Sequence, residues 1–255
     1  MTWNGVHFNL HTIIPWPVIV IWAVLYFGLL AWAWTRGSRN GVRLFGNFKT
    51  IDFVYIALLS ALLIVYNFFI SPLVPKVGSI TTYFYYPEIG EMFILLLAVA
   101  LVGKPGSAGL TIFIYTLLSD IVHYGFGGEP FYFIYEVLAY GAVIDMWLIY
   151  RGKYYMTDLA PVRRGAVPTT AEAIEDTEEN VRKALWLLIL DGIIGGATIM
   201  VAYNFWYLGF FRTFISGLTV NVTYWEITSL TSLGGGALLG LILAPIIYYV
   251  KRVVS

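Results

Sequence analysis

The chain has 255 residues, is 59% hydrophobic and only 12% charged, contains no cysteine and is formally neutral at pH 7, with a mean hydropathy of +0.77. That apolar share exceeds what soluble domains carry, so an integral membrane protein is expected, without a nucleic-acid partner. Lacking thiols, it has no disulfide, thiolate ligand or cysteine nucleophile.

A membrane-crossing helix needs about 20 mostly apolar residues, because lipid offers no partner for backbone polar groups. Seven stretches qualify, predicting an all-α polytopic bundle. The first, Trp16 to Trp34, follows "MTWNGVHFNLHTIIP", which has no Lys or Arg, and precedes a basic cluster. It is therefore expected to stay as an anchor and not to be cleaved as a signal peptide. The second runs from Phe53 to Ile70 and contains Ala57-Leu-Leu-Ser-Ala61, a small-xxx-small spacing that lets another helix approach closely in lipid. The third, Glu88 to Val102, and the fourth, Ala108 to Val122, are short, roughly 15 residues each, and are joined by the turn "GKPG". The fifth covers Phe131 to Tyr150. A hydrophilic segment then spans 151–183, with a Pro-containing linker and the capped, charged stretch "TAEAIEDTEENVRKAL". It reads as a cytoplasmic loop or as a docking surface. The sixth span is Ala184 to Leu208, whose Gly192, Gly195 and Gly196 fit helix packing better than phosphate binding, and the seventh is Glu226 to Val250. Two regions follow: 1–50, an extra N-terminal transmembrane helix with a cytoplasmic linker, and 51–255, a six-helix membrane core.

Basic residues orient this arrangement. Thirteen of fifteen fall on one side, leaving only Lys76 and Arg212 on the other. The positive-inside rule puts the larger set in the cytoplasm, the N-terminus outside and the C-terminus inside, in a multi-pass protein of the cell membrane. The outer third then collects Glu88, Glu91, Asp120, Glu129, Glu136 and Glu226. Glu136 lies about five residues inside the fifth span, roughly 8 Å deep at about 1.5 Å per residue. A carboxylate there is costly unless it faces a cavity or a partner, so Glu136 is a binding-site candidate. On a helix Tyr132, Glu136, Tyr140 and Val143 share its face. Further aromatic groups accompany the acids: Tyr83 to Tyr86, Tyr124, Phe126, Tyr135, Tyr224 and Trp225. Each also fits the alternative of an interfacial anchor. Together, a pocket drawing on Tyr86, Glu88, Glu91, Asp120, His123, Tyr132, Glu136, Tyr140, Trp225 and Glu226 suits a small cationic or protonatable aromatic molecule, under the loop "SPLVPKVGSITTYFYYPE" as a lid. Asp145 and Asp191, nearer the cytoplasmic side, are expected to pair with loop arginines. Asn221-Val-Thr223 is a candidate outside glycosylation acceptor.

The segment "GEMFILLLAVALVGKPGSAGLTIFIYTLLSDIVHYGFG", followed by "YEVLAYGAVIDMWL" and preceded by "ALLSA", resembles the substrate-binding (S) components of energy-coupling factor (ECF) transporters, in their thiamine and hydroxymethylpyrimidine-precursor branch. The likeness covers about Phe53 to Leu148. Its matching residues are Lys104, Pro105, Gly106 and Ala108 in the turn, Asp120 as the acid, and Gly141 and Asp145 in the fourth core helix. Tyr140, Val143 and Asp145 depart from the glutamine, glycine and glutamate of that pattern. The resemblance implies a vitamin-capture subunit of an ATP-driven (ABC-type) uptake transporter, itself neither an enzyme nor a cofactor carrier. Ala57 and Ala61 would dock a transmembrane coupling subunit driven by separate ATPases. A different reading uses metal: His7 and His11 stand at i, i+4, and Asp120 and His123 at i, i+3, as ligands of a metal-binding or anchoring membrane subunit of an oxidoreductase complex. Each histidine equally fits an interfacial polar position.

Overall fold

A computed structural model describes residues 2–3, 6–7, 9–36, 48–78, 86–124, 130–157 and 172–254, with side chains left undescribed at the outermost strands and at 34, 36, 123–124, 130–131 and 172–181. Apart from a two-residue antiparallel ladder pairing Thr2–Trp3 with Val6–His7, the described elements are helical. Helix α1 is Trp16–Arg36, with Pro17 in its first turn, where a missing N–H leaves no partner unsatisfied. Helix α2, Thr50–Val65, starts where the Lys49 amide donates to Asp52 Oδ2 at 2.5 Å. Helix α3 is Ile89–Val102 and ends on Gly103, whose φ of 60° a side chain would resist. Helix α4 is Ser107–Ser119; α5, Pro130–Glu136, and α6, Ala142–Arg151, form one continuous rod through a wider turn. Helix α7, Glu172–Val201, leads through another wide stretch into α8, Arg212–Ser216, and α9, Val222–Val254, closes the bundle.

Among the described residues, five helical rods are long and apolar enough to cross a membrane: Trp16–Ala33, Thr50–Leu73, Tyr132–Tyr154, Arg182–Ser216 and Val222–Val254. Their outward faces carry apolar side chains such as Val24, Phe27, Leu58, Leu62, Leu230 and Leu238. So much exposed hydrocarbon suits a membrane-embedded bundle, since lipid covers it at no cost. The sequence predicts seven spans, of which the third and fourth are short. Ser107–Val122 is a shorter apolar helix, and α3 has only 14 residues, about 21 Å at about 1.5 Å per residue against a hydrocarbon core of about 30 Å. Its shortness has a packing reason. Met92, Leu95, Leu96, Ala98, Val99 and Ala100 are fully buried, so α3 is the centre of the bundle and protein surrounds it.

Small residues set the closest contacts. A Cβ on Gly196 would strike the Gly236 carbonyl, and one on Gly240 the Gly192 carbonyl, so α7 and α9 cross backbone to backbone on two glycine pairs. A Cβ on Gly141 would lie 2.7 Å from Gly109 Cα, which places α4 against the α5–α6 rod. Helix α1 sits at the periphery, held by the Ile14 amide on the Gly209 carbonyl (2.9 Å), Trp22 Nε1 on the Leu138 carbonyl (3.2 Å) and the Tyr26 hydroxyl on Asp145 Oδ2 (2.8 Å).

The lysine-rich end of the bundle is locked by charge. Arg151 grips Asp191 through Nε and Nη2, both at 2.8 Å, and Trp147 Nε1 and the Met156 amide also donate to that carboxylate, each at 2.7 Å. Asp191 thus pairs as the sequence suggests. Asp145 does not: among the described residues no arginine is its partner, and its oxygens accept the amides of Gly106 (2.8 Å), Ala108 (3.0 Å) and Gly109 (2.8 Å) together with the Tyr26 hydroxyl. It caps the N-terminus of α4, where amides lacking helical partners and the positive end of the helix dipole favour an anion. Lys104, in the turn before α4, forms an ion pair with Asp52.

Candidate functional site

At the opposite end, four rods loosen into π-helical turns, at Tyr66–Ile70, Asp120–Tyr124, Val137–Gly141 and Ala202–Phe211. A π turn inserts a residue and shifts the side chains that follow, and such turns gather at functional sites. Here they supply most walls of one polar and aromatic cluster around the first turn of α3 and the end of α5.

Glu91, buried in that first turn, accepts Asn67 Nδ2 at 3.0 Å, and the same amide group donates to the Tyr115 hydroxyl at 2.8 Å. Tyr66 fixes the entry to α3, donating to the Pro87 carbonyl at 2.6 Å and accepting the Gly90 amide at 3.2 Å. Its ring lies where a Cβ on Gly90 would stand, so glycine is required for that close approach. One turn along the neighbouring rods, the Thr116 hydroxyl donates to Glu136 Oε2. The charges of Glu91 and Asp120 act on Glu136 as well. The two acids at this end are thus steadied by the neutral donors Asn67 and Thr116.

Aromatic rings close the other side. Tyr135 is the hub, with ring centroids 4.6 Å from Phe211, 5.6 Å from Tyr207, 6.2 Å from Tyr132 and 6.4 Å from Tyr140. The Tyr132 and Tyr207 hydroxyls meet at 3.3 Å. Tyrosine faces beside carboxylates attract an organic cation by cation–π contact as well as by charge.

The residues singled out in the sequence separate here. Glu91, Asp120 and Glu136 share one electrostatic neighbourhood, and Tyr132 and Tyr140 join the ring cluster. Glu88 is half-buried where the chain enters α3. Tyr86 lies apart in role: its hydroxyl bonds the Pro75 carbonyl and accepts the Val77 amide (3.0 Å), tying down the loop. Trp225 packs on Phe205 at 5.3 Å between centroids and donates to its carbonyl at 3.0 Å, a joint between α9 and the π segment of α7, while Glu226 is exposed. Ala57 and Ala61 are exposed on α2, whereas Ser60 beside them is buried and its hydroxyl donates to the Thr111 carbonyl at 2.9 Å. His11 is exposed, and no group of three or more metal-ligating side chains gathers among the described residues. The side chains of His7 and His123, together with Tyr83, Phe84, Tyr85, Phe126, Glu129 and most of the 151–183 loop, lie outside the described residues. Asn67, Thr116 and Tyr207 are not among the residues that the sequence singles out, and Tyr135 is there only as an aromatic neighbour of the acids. Asn67 had a signal, an amide within the apolar run "IVYNFF" that must find a partner in lipid.

Compared with family models, curated proteins and solved structures, the chain matches none.

Proposed function

We propose that the protein is the membrane-embedded capture subunit of an uptake transporter for a small, positively charged or protonatable aromatic molecule of the thiamine or pyrimidine-precursor type. In this reading the chain crosses the cell membrane seven times, with the N-terminus outside and the lysine-rich end in the cytoplasm, and α3 and α4 cross as short helices shielded by their neighbours. The observation that carries it is the cluster of Glu91, Asp120 and Glu136 beside Tyr132, Tyr135, Tyr140 and Tyr207, steadied by the neutral Asn67 and Thr116. A cationic ring satisfies both halves of that cluster at once. The turn Lys104-Pro105-Gly106 and the exposed Ala57 and Ala61 support the same assignment through their resemblance to S components. Energy would come from a coupling subunit and ATPases.

Titration calorimetry of the purified protein with thiamine and with hydroxymethylpyrimidine tests this directly. Saturable binding is expected, weakened about tenfold in Glu136→Gln by loss of one charged contact. Absence of binding to either compound, or equal affinity in the variant, rejects the assignment. Docking has its own test: Ala57→Leu with Ala61→Leu should abolish co-purification with the coupling subunit and leave ligand affinity unchanged, because bulk on that face blocks close helix approach.

A further inference from the structure

The acids at the loosened end form a row, and Glu91 stands in its middle. Glu88 and Glu91 open α3 at i, i+3, on one face of the helix. The charge of Glu91 acts on Glu88 beside it and on Glu136 of the neighbouring rod. Asp120 reaches Glu136 from the end of α4; it is only 5% exposed, and no residue donates a hydrogen bond to its side chain. The donors that the others have are shared. The Asn67 amide group that serves Glu91 also serves Tyr115, and the Thr116 hydroxyl, with one proton, has both Glu136 and the Ile112 carbonyl (2.9 Å) within reach. Among the described residues, lysine and arginine side chains pair with Asp52 and Asp191 at the other end and with none of these four acids. Lys76 is exposed in the loop after α2, and Arg212 acts on Tyr203. The remaining titratable neighbours of Glu91 are phenols: Tyr66 and Tyr115 from the α2 and α4 rods, and Tyr140. Helices α7 and α9 also pack on α3 and bring Glu91 no ion pair. Four carboxyl groups cannot all ionise side by side in a low dielectric without a counter-ion, and the one between two others gains most by keeping its proton. The positive end of the α3 dipole favours an anion, but Glu88 and Glu91 divide it.

We propose that Glu91 is the proton-holding acid of the empty site and gives that proton to the water outside when a cation enters, so that capture exchanges one proton for one cation. The exchange rests on the capture reading above. Protons then compete with the guest, and apparent affinity falls about tenfold per pH unit wherever the empty site keeps Glu91 protonated.

Infrared spectroscopy of the ligand-free protein near neutral pH tests the first half, since a protonated carboxyl group shows a carbonyl stretch that a carboxylate lacks. The band is expected in the wild type and should vanish on adding thiamine. Glu91→Gln, whose amide oxygen can still accept from Asn67, should lack it from the start. Titration calorimetry with thiamine in phosphate and in Tris, buffers of very different ionisation enthalpy, tests the second half. The observed heats should differ by the equivalent of about one proton per site in the wild type and agree in Glu91→Gln. No band in the wild type, or a band that persists in folded Glu91→Gln, overturns the assignment. Thiamine binding with heats that do not depend on the buffer overturns the exchange and leaves capture of a cation standing, whereas no thiamine binding at all rejects the capture reading and the exchange with it. If Glu91→Gln does not fold, the wild-type band decides: its loss on adding thiamine supports the exchange, and its persistence overturns it.

Discussion

The two ends of this bundle handle buried charge in opposite ways. At the lysine-rich end the buried carboxylates have several donors each: Asp191 takes four, including Nε and Nη2 of Arg151, and Asp145 takes three amides and a hydroxyl. At the other end, among the described residues, Glu91 accepts from the Asn67 amide, which lies in a π turn, and Glu136, just before another π turn, accepts from the Thr116 hydroxyl. The first pattern is what a folded core needs, since an uncompensated charge in low dielectric costs several kcal/mol. The second leaves each acid with one neutral side-chain donor, which a positively charged guest would complement in the proposed function. Location in the membrane therefore says less about an acid's role than the count and charge of its donors.

The largest effect belongs to the first pattern. Arg151→Met strands the Asp191 carboxylate without its counter-ion, and a loss of about 3–5 kcal/mol in unfolding free energy is expected. Adding Asp191→Leu should restore much of that loss, because no charge is then left buried. Reversible unfolding in mixed detergent micelles measures both. If the single variant is as stable as the parent, the ion pair is not the lock described.

Glu136→Gln comes next and carries the opposite sign. The amide oxygen can still accept from Thr116, and one charge is removed from beside Glu91 and Asp120, so stability should hold or rise by about 1 kcal/mol while ligand affinity falls. Thermal unfolding and calorimetry on the same preparation separate the two. A variant that unfolds as readily as Arg151→Met would erase the contrast between the ends.

Much of this architecture is readable from one-dimensional pattern. Hydropathy locates the rods, because lipid demands long apolar helices, and Gly103-Lys104-Pro105-Gly106 announces the turn before α4. The pairing of Asp191 is visible as an acid within reach of a basic loop. What escapes is whatever depends on neighbours distant in sequence. Asp145 looks like an acid in want of an arginine until α4 is seen to present three unpaired amides to it. Gly192 and Gly196 read as packing positions, but their partners Gly236 and Gly240 emerge only when α7 and α9 cross. The π stretch Ala202–Phe211 has no proline to mark it and reads as ordinary span. Without that shift, Tyr207 and Phe211 give no sign that they will face Tyr135. The length of α3 was legible, and its burial was not, because a short apolar run looks the same whether lipid or protein surrounds it.

The smallest effect sharpens the account of α1. Tyr26→Phe removes a single hydroxyl from Asp145, whose carboxylate keeps three backbone donors. Global stability should fall by only about 0.5–1.5 kcal/mol, the net range for an intramolecular hydrogen bond, because the other donors remain on the carboxylate. The local consequence is more telling. Helix α1 is joined to the rest by few polar contacts, and losing this one should raise amide hydrogen exchange in Trp16–Arg36 well before exchange rises in α3. Uniform acceleration across both helices would mean that Tyr26 supports the whole bundle through the α4 cap, and that α1 is as integral to the core as the rods it borders.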